Sequence, residues 1–492
     1  MRILFINLPY HGHVVPTIGL VQELLKQGCE VTYLMPFGWE DKVAESGAVF
    51  AGYENHRQLS EQIKNAYVAA EKIIDDFDLV IYEQFFFLGK HLAEKYGKLV
   101  VRIFTAPVTN KKLMKEYISS GGPLGVFKWK WLTRAFTKDI VKGKGITLKT
   151  DNWLDEIIEN PPELNFVYTL REYQPHVEEF LEEHFKFLGP SIYVRKSEPI
   201  DFIKSDRPVI YISLGTIIKG DAAFFQKCIE AFRGEDVDVI ISVGQKFEVK
   251  KLSNVPMNVH IYPSVPQIDV LEYADVFVTH GGMNSVSESL VKGTPMVVIP
   301  FVSDQPVNAG RIEALSLGKK MEYKQITSES LKQTVFSVLH DEEIASNMKK
   351  TQELIANAPG NAGGARMIIE YFVSIQSQGN FANGALNSYN IITVTQNRNE
   401  DKQMENNFEE YITFHVTASD GSDVEMAIMD EFDFENEHYV VGAVIKDDTI
   451  DDEGRYIYKS IIKGDTFTVE KIKREFDYKR IAEAYMCMDE EA

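Results

Sequence analysis

Five short segments rich in valine and isoleucine alternate with helix-like segments in the middle of the chain. They are RPVIYISL (207–214), VDVIISVG (237–244), NVHIY (258–262), ADVFVTH (274–280) and TPMVVIP (294–300). Strands that are apolar at nearly every position are typical of parallel sheets that are covered by helices on both faces. This pattern predicts a doubly wound α/β domain.

The start of the chain repeats the pattern. The strand-like RILFINL is followed by the turn PYHGHVVP, by apolar residues at helical spacing from Ile18 to Leu25, and by the strand-like EVTYLM. Two strands joined through a helix are expected to be parallel neighbours. FDLVIYE (77–83) and KLVVRIFT (98–105) are expected to extend the same sheet. The whole therefore predicts an α/β chain with two facing Rossmann-like halves and a cleft between them.

Composition divides the chain into four regions. A polar, proline-flanked break separates a first domain at 1–195 from a second at 205–376. The Asn- and Gln-rich segment 377–407 predicts a linker. Residues 408–490 alternate strand-like segments with acidic turns, which predicts a small, mostly antiparallel β domain that ends in a short helix.

Charge is concentrated at the end of the chain. The formal net charge is −21. Residues 381–492 hold 11 Lys and Arg against 26 Asp and Glu, a net of −15, so the first 380 residues carry only −6. We therefore expect no nucleic-acid partner.

The cysteines and the apolar runs point to a cytoplasmic location. Cys29, Cys228 and Cys487 are far apart and show no CxxC spacing, which favours a reducing compartment. The N-terminal apolar run is too short for a signal peptide, and no run of 18 apolar residues exists, so we expect a soluble chain with no transmembrane segment. The aromatic and basic run 126–136 has two interpretations: a weak membrane-surface contact, or a domain helix that buries Trp129 and Trp131.

The turn after the first strand carries His11 and His13. The carboxyl edge of a parallel sheet lines the crevice where such sheets bind ligands, and an imidazole there can take a proton from a hydroxyl. Glu83, at the end of FDLVIYE, is the carboxylate that the same edge would bring to it. The alternatives are a pair of helix-capping histidines and a metal site, and no further metal ligands lie nearby in the sequence.

The run ADVFVTHGGMNSVSES (274–289) ends a strand at His280, passes two glycines and starts a helix near Asn284. Free backbone amides and the positive end of a helix suit a phosphate or diphosphate. The alternative for Ser285 and Glu288 is a capping box, which satisfies the helix-start amides without any ligand.

Three more loops follow strands of the second sheet and should face the same crevice. They are SLGT (213–216), SVPQIDVLEYAD (264–275) and SDQP (303–306). Each is by itself compatible with an ordinary turn or helix start. Together with the loop that follows His280, they make four loops at one sheet edge, and this grouping favours a ligand site.

Taken together, these motifs resemble the macrolide- and flavonoid-type UDP-sugar glycosyltransferases, the UDP-glucuronosyl/UDP-glucosyltransferase-like family. The resemblance rests on HGHVVPTIGLVQELLKQGCEVTYLMP, DLVIYEQFFFLG, YISLGT, VPQIDVLEYADVFVTHGGMNSVSESLVKGTPMVVIPFVSDQPVNAGRIE and a later GGA, and spans about 375 residues. It implies the two-domain GT-B fold and metal-independent, inverting transfer of a hexose from a UDP-sugar to a hydroxyl of a small lipophilic acceptor, with no cofactor. The acidic C-terminal region resembles a small bacterial domain of unknown function.

The resemblance also assigns residues. It implies that His13 is the general base, with His11 beside it and Glu83 as its helper. The residues that match the family's nucleotide-sugar contacts are Thr216, Ser264, Val265, Gln267, His280, Gly282, Asn284, Ser285, Glu288, Asp304 and Gln305.

Two positions depart from the family pattern. Glu83 replaces the usual Asp and is one methylene longer, so Glu83→Asp is expected to keep or raise activity. Ser264 stands where many relatives have an aromatic residue that stacks on the base, and Tyr262 is the nearest ring that can replace it. These departures and the extra acidic domain leave one alternative open, a degenerate transferase that acts as a binding or scaffold protein. A second alternative is a GT-B-fold UDP-sugar epimerase, which shares the two-lobed cleft but needs no acceptor pocket.

Overall fold

A computed structural model of the protein describes most of the chain. The described residues are 1–114, 133–193, 200–202, 204–215, 222–302, 304–383, 392–393, 413–417, 423–434, 437–446, 449–450, 456–463, 466–472, 478, 481–482 and 485. The chain divides into two compact units, Met1–Ile369 and Glu370–Ala492.

The first lobe of the first unit is built on a parallel sheet of seven strands. The strands are β1 (Arg2–Ile6), β2 (Glu30–Pro36), β3 (Val49–Tyr53), β4 (Leu79–Glu83), β5 (Leu99–Phe104), β6 (Leu164–Val167) and β7 (Phe185–Phe187). Their order is β3-β2-β1-β4-β5-β6-β7, and the chain reverses direction across the sheet at β1 and β4. In such sheets the reversal point opens the crevice that binds ligands.

Helices cover this sheet. They are α1 (His11–Val14), α2 (Ile18–Lys26), α3 (Glu40–Ala44), α4 (Leu59–Glu71), α5 (Gly89–Lys95), α6 (111–114), α7 (133–141) and α8 (Trp153–Glu159). Pro16 lies in a 3₁₀ turn, Val15–Thr17, between α1 and α2. The two histidines therefore lie in a separate one-turn helix that projects from the strand end.

The second lobe repeats the design with six parallel strands. They are β8 (Val209–Ser213), β9 (Asp238–Ser242), β10 (Val259–Tyr262), β11 (Val276–Thr279), β12 (Met296–Val298) and β13 (Gly318–Lys320), in the order β10-β9-β8-β11-β12-β13. Its helices are α9 (Ala222–Ala231), α10 (Gln267–Leu271), α11 (Met283–Lys292), α12 (Gln305–Ala314), α13 (Ser328–Leu339), α14 (Glu342–Asn357) and α15 (Gly360–Asn383).

Contacts between the segment after β6 and the second lobe join the two lobes. Leu170 and Tyr173 are buried in the core of the second lobe. Arg311 of α12 donates from Nε to the carbonyl oxygen of Tyr173 at 2.9 Å. The amide of Gly360, at the start of α15, donates to the carbonyl of Leu188 at 2.9 Å.

The second unit contains an antiparallel sheet. Its strands are β14 (Ile392–Thr393), β15 (Thr413–Thr417), β16 (Asp423–Phe434), β17 (Glu437–Lys446), β18 (Thr449–Ile450), β19 (Tyr456–Lys463) and β20 (Thr466–Lys471). The order is β14-β20-β19-β17-β16-β15, and β18 pairs with β17. Consecutive residues of β17, Val440 and Val441, belong to two different apolar clusters, one on each face of the sheet.

The two Rossmann-like halves and the antiparallel C-terminal sheet confirm the predicted fold class. In the two lobes of the first unit, four short strands, β3, β6, β7 and β13, were not predicted from the sequence. Three of them lie at a sheet edge, where half-exposed strands lose the continuous apolar pattern, and β13 has the sequence GKK. Of the predicted linker at 377–407, the residues up to Asn383 belong to α15, Ile392–Thr393 form β14, and the others lie outside the described residues. Among the described helices, none is long and apolar enough to cross a membrane.

Candidate active site

The site begins where three neighbouring strands of the first sheet end. β1 lies beside β4, and β4 lies beside β5, with Glu83 opposite Ile103. Parallel register brings the residues that follow β1 and β5 to the same edge as Glu83. His13 and Thr105 therefore meet Glu83 there.

The His13 imidazole makes a direct contact with Glu83. Nδ1 of His13 lies 2.8 Å from Oε1 of Glu83, whose side chain is fully buried. An ionised carboxylate only accepts hydrogen bonds, so Nδ1 carries the proton and Nε2 keeps its lone pair. The second oxygen, Oε2, accepts the amide of Phe85 at 3.0 Å. Thr105 Oγ1 lies 3.2 Å from the same Nδ1, and it accepts the Nδ1 proton as a second partner beside Glu83.

The surroundings raise the pKa of His13. Burial by itself would lower it, but the negative charge of Glu83, its hydrogen bond and the charge of Asp304 outweigh that effect. Since 21% of the His13 side chain stays exposed, the imidazole can still be reached by a ligand. A base that is both oriented and made more basic by a carboxylate is suited to take a proton from a hydroxyl.

A buried polar network holds the turn that carries His13. Asn7 Nδ2 donates to the His13 carbonyl at 3.1 Å and to the Tyr33 hydroxyl at 3.0 Å. Thr17 Oγ1 lies 2.7 Å from that hydroxyl and donates to the Val14 carbonyl at 2.7 Å. No sequence signal marked Asn7 or Tyr33, because Tyr33 lies inside the apolar strand β2 and Asn7 directly follows the apolar strand β1.

Aromatic rings surround the imidazole. The His13 ring lies 4.8 Å from Phe85 and 5.7 Å from Tyr10, centroid to centroid. Phe85 in turn contacts Trp153 of α8 at 6.0 Å. The structure does not place His11 with Glu83: it is exposed, and its ring packs against Trp39 at 4.7 Å.

His280 directly follows β11 of the second lobe, and its ring lies between Gly215 and Gly282. A methyl group at Gly215, which has φ of +75°, would come within 2.5 Å of the His280 ring, and one at Gly282 within 2.5 Å of its Nε2. Burial lowers the pKa of His280 to about 4, so the imidazole is neutral at pH 7. Among the described residues, its buried Nδ1 has no hydrogen-bond partner. A neutral, orphaned imidazole beside free backbone is suited to an anionic ligand.

The helix that follows the His280 loop, α11, does not begin with a capping box. Gly282 is the N-cap of α11, so Ser285 lies inside the first turn, and the capping alternative for Ser285 and Glu288 is wrong. Gln267 Nε2 instead donates to Ser285 Oγ at 3.1 Å and to Glu288 Oε2 at 2.5 Å. Tyr211 donates from its hydroxyl to Gln267 Oε1 at 3.1 Å. Three predicted donor-site residues therefore form one connected group.

Asp304 and Gln305 lie at the start of α12, and Gln305 is its first residue. Asp304 lies at the N-cap, and burial raises the pKa of its carboxyl. Gln305 is buried, and its Oε1 accepts the amides of Phe301 and Val302 at 2.9 and 3.1 Å. Oε1 of Gln305 is therefore already hydrogen-bonded to the loop before α12.

The two groups of residues face each other across the lobes. A methyl group at Gly12 would lie 3.9 Å from Nδ2 of Asn284, so α1 of the first lobe faces the start of α11 in the second. The carboxylate of Asp304 is close enough to His13 for each to shift the pKa of the other. The cleft thus has the His13 imidazole, paired with Glu83, on one wall and a glycine loop with a helix start on the other.

Some of the predicted site residues do not lie with the residues that face the cleft, or they fall outside the described part of the chain. Thr216 and residues 126–132 lie outside the described residues. Within the rest of the run 126–136, Phe136 lies in α7 and packs on Trp153 at 5.8 Å. Ser264 is exposed, and Val265 packs against the core of the second lobe. Tyr262 donates its hydroxyl to the carbonyl of Asp201 at 2.8 Å, which ties its ring to that segment.

Acidic, histidine and cysteine side chains do not cluster in threes at a possible metal site anywhere in the described part of the chain. That the reaction proceeds without a metal stays a prediction from the sequence resemblance.

Comparison with known proteins gives consistent matches. The family model for UDP-glucuronosyl and UDP-glucosyl transferase matches residues 195–362. NDP-glycosyltransferase YjiC from Bacillus licheniformis is 31% identical over 405 residues, which cover 76% of this chain and 98% of the relative. Oleandomycin glycosyltransferase from Streptomyces antibioticus is 27% identical, with 75% of this chain and 90% of the relative covered. The solved structure of the kitacinnamycin glycotransferase has a TM-score of 0.64 at 26% identity, with 75% of this chain and 97% of that chain covered.

Proposed function

This chain belongs to the UDP-glycosyltransferase family and is a glycosyltransferase with the GT-B fold, and on that premise we propose that it transfers a hexose, glucose, from a UDP-sugar to a hydroxyl group of a small lipophilic acceptor. The reaction inverts the configuration at the anomeric carbon and uses no metal ion.

The observation that carries the proposal is the opposition of two sites across the cleft. His13 and Glu83 on one lobe face the His280–Asn284 loop on the other, through the approach of Gly12 to Asn284. A transferase needs this arrangement, because acceptor and donor must be held together in a fixed geometry.

On the acceptor side, His13 is the general base. Its Nε2 takes the proton of the acceptor hydroxyl as the oxygen attacks the anomeric carbon from the face opposite the diphosphate. The new carbon–oxygen bond forms while the bond to the diphosphate oxygen breaks, and UDP leaves with the electron pair. Glu83 keeps Nδ1 protonated and stabilises the imidazolium that forms.

On the donor side, the diphosphate lies on the start of α11. The backbone amides there and the neutral imidazole of His280 stabilise the charge that develops on UDP. Glu288 and Gln267 contact the ribose and the base, and Asp304 and Gln305 contact the sugar hydroxyls. Glu288 and Gln267 are already hydrogen-bonded to each other, which supports a preformed nucleoside site.

Aromatic rings favour a lipophilic acceptor. The His13 imidazole has the rings of Tyr10 and Phe85 beside it, and Phe85 packs on Trp153. Tyr10 is 41% exposed. Apolar surface of this kind in a cleft favours a ligand with an apolar body and a hydroxyl to direct at the base. A related protein is named for its action on a macrolide, oleandomycin.

Purified protein incubated with UDP-glucose and a panel of flavonoid and macrolide alcohols tests the proposal. A β-linked glucoside and free UDP are expected, and His13→Ala should abolish the product while UDP still binds. Interconverted UDP-sugar without a glycoside would indicate an epimerase. UDP binding with neither product would indicate a scaffold protein.

A further inference from the structure

Asn308 lies in α12, one turn after Asp304, and is 1% exposed. Its side-chain amide nitrogen donates to the carbonyl oxygen of Gly281 at 2.9 Å and to Oδ2 of Asp304 at 2.9 Å. Both partners only accept hydrogen bonds, so the NH₂ end of the amide must face them. One side chain therefore connects the glycine loop after β11 with the acidic residue at the start of α12.

The other end of the same amide is left without a partner. Oδ1 of Asn308 is buried, and no hydrogen bond reaches it from the described residues. A buried acceptor with no partner is unfavourable, and an apolar side chain would avoid that cost if Asn308 only filled space. The two donated bonds are thus the feature that distinguishes asparagine from a leucine here.

The hydrogen bond from Asn308 acts on the carboxylate of Asp304, whose burial disfavours the charged form. Burial raises the pKa of Asp304, while the hydrogen bond from Asn308, the charge of His13 and the amide of Met283 lower it. Met283 is the first residue of α11, so Asp304 also lies at the helix start that faces the cleft. Asn308 helps to keep Asp304 ionised and in place beside that helix start.

We propose that Asn308 is a positioning residue for the donor: it fixes the distance between the diphosphate loop at Gly281 and the sugar-binding carboxylate of Asp304. The inference rests on the proposed function, in which these two elements hold the two halves of one nucleotide sugar. Because the sugar is covalently attached to the diphosphate, the two halves bind together only if both elements keep a fixed spacing.

The test compares UDP with UDP-glucose, because only the second ligand reaches both elements. Binding of each is measured by titration calorimetry for the wild type, Asn308→Ala, Asp304→Ala and the double variant. We expect Asn308→Ala to weaken UDP-glucose about tenfold and UDP clearly less. In the Asp304→Ala background, loss of Asn308 should change the ratio of the two affinities much less, because the partner is already gone.

Asn258→Ala is the matched control. Asn258 is also buried in the second lobe and donates to the carbonyls of Phe232, Glu235 and Val237. Its loss should lower the melting temperature but leave the ratio of UDP to UDP-glucose affinity unchanged. If Asn308→Ala does not fold, Asn308→Asp, which keeps the shape and places an acceptor against two acceptors, replaces it and should show the same loss.

The outcomes separate the inference from the proposed function. Equal weakening of both ligands, or no weakening, in a folded Asn308 variant overturns the positioning role. A wild-type protein that binds neither ligand overturns the proposed function itself.

Discussion

Nδ1 of His13 lies 2.8 Å from Oε1 of Glu83, although the two residues are 70 positions apart in the sequence. The longer side chain of glutamate does not prevent the contact. Both of its oxygens are used, since Oε2 accepts the amide of Phe85. The site is thus fitted to glutamate, and this changes what substitutions there should do.

Glu83→Asp should reduce activity, which reverses the expectation from the sequence. Aspartate withdraws the carboxylate by ~1.5 Å, so it cannot reach both His13 and the Phe85 amide without a backbone shift. We expect kcat to fall about 10- to 100-fold in steady-state assays with UDP-glucose. A turnover equal to that of the wild type would contradict this fit.

The pH profile should report the His13–Glu83 contact. His13 must be neutral to act as a base, and its pKa is raised above 6.5, so kcat/KM should fall on the acid side with an apparent pKa above 6.5. In Glu83→Gln the charge that raises this pKa is gone while burial remains. The acid limb should then move to lower pH as the maximal rate drops, and an unmoved limb would mean that another group titrates.

Gly282→Ala should impair donor binding specifically. The added methyl group would lie 2.5 Å from Nε2 of His280 and displace the ring. We expect KM for UDP-glucose to rise about tenfold, the order of one lost hydrogen bond to a charged group. Gly310→Ala is the control, because among the described residues no atom outside the nearby helix backbone lies within 4 Å of the added methyl group, and alanine favours the helix by about 0.5–1 kcal/mol.

Phe85→Ala should change the use of the acceptor but not the titration of the base. Its ring packs on His13 and Trp153, whereas the bond to Glu83 uses its backbone amide, which the substitution keeps. KM for the acceptor should rise several-fold, while the acid limb of the pH profile should stay at the same pH. Phe37→Ala, at a half-exposed ring that packs on Phe50, should leave both unchanged. A shifted acid limb in Phe85→Ala would show that the ring also orients the dyad.

A chain that ends after Asn383 should still bind UDP and transfer glucose. All of the proposed site residues precede Ile369, within the first compact unit. The measurement is kcat/KM of the shortened and full-length chains on the same acceptor. A large loss in a shortened chain that melts normally would assign the second unit a role in the reaction.

The sequence alone predicts much of the architecture. Valine- and isoleucine-rich segments that alternate with helices identify two parallel sheets, because burial on both faces leaves a continuous apolar run. The same pattern fails for β7 and β13, since edge strands need no such run. It also places His13, Glu83 and the His280 loop at strand ends, which follows from topology.

The tertiary structure decides which side chains meet. Periodicity is a local property of the chain, whereas the contact of His13 with Glu83, the slot for His280 between two glycines and the bonds of Asn308 each join segments that are distant in sequence. It also decides between the alternatives that the spacing left open at Ser285, because the structure has bonds to Gln267 there and no capping box. Such contacts depend on how strands pair and helices pack, and a spacing of residues along the chain does not contain that information.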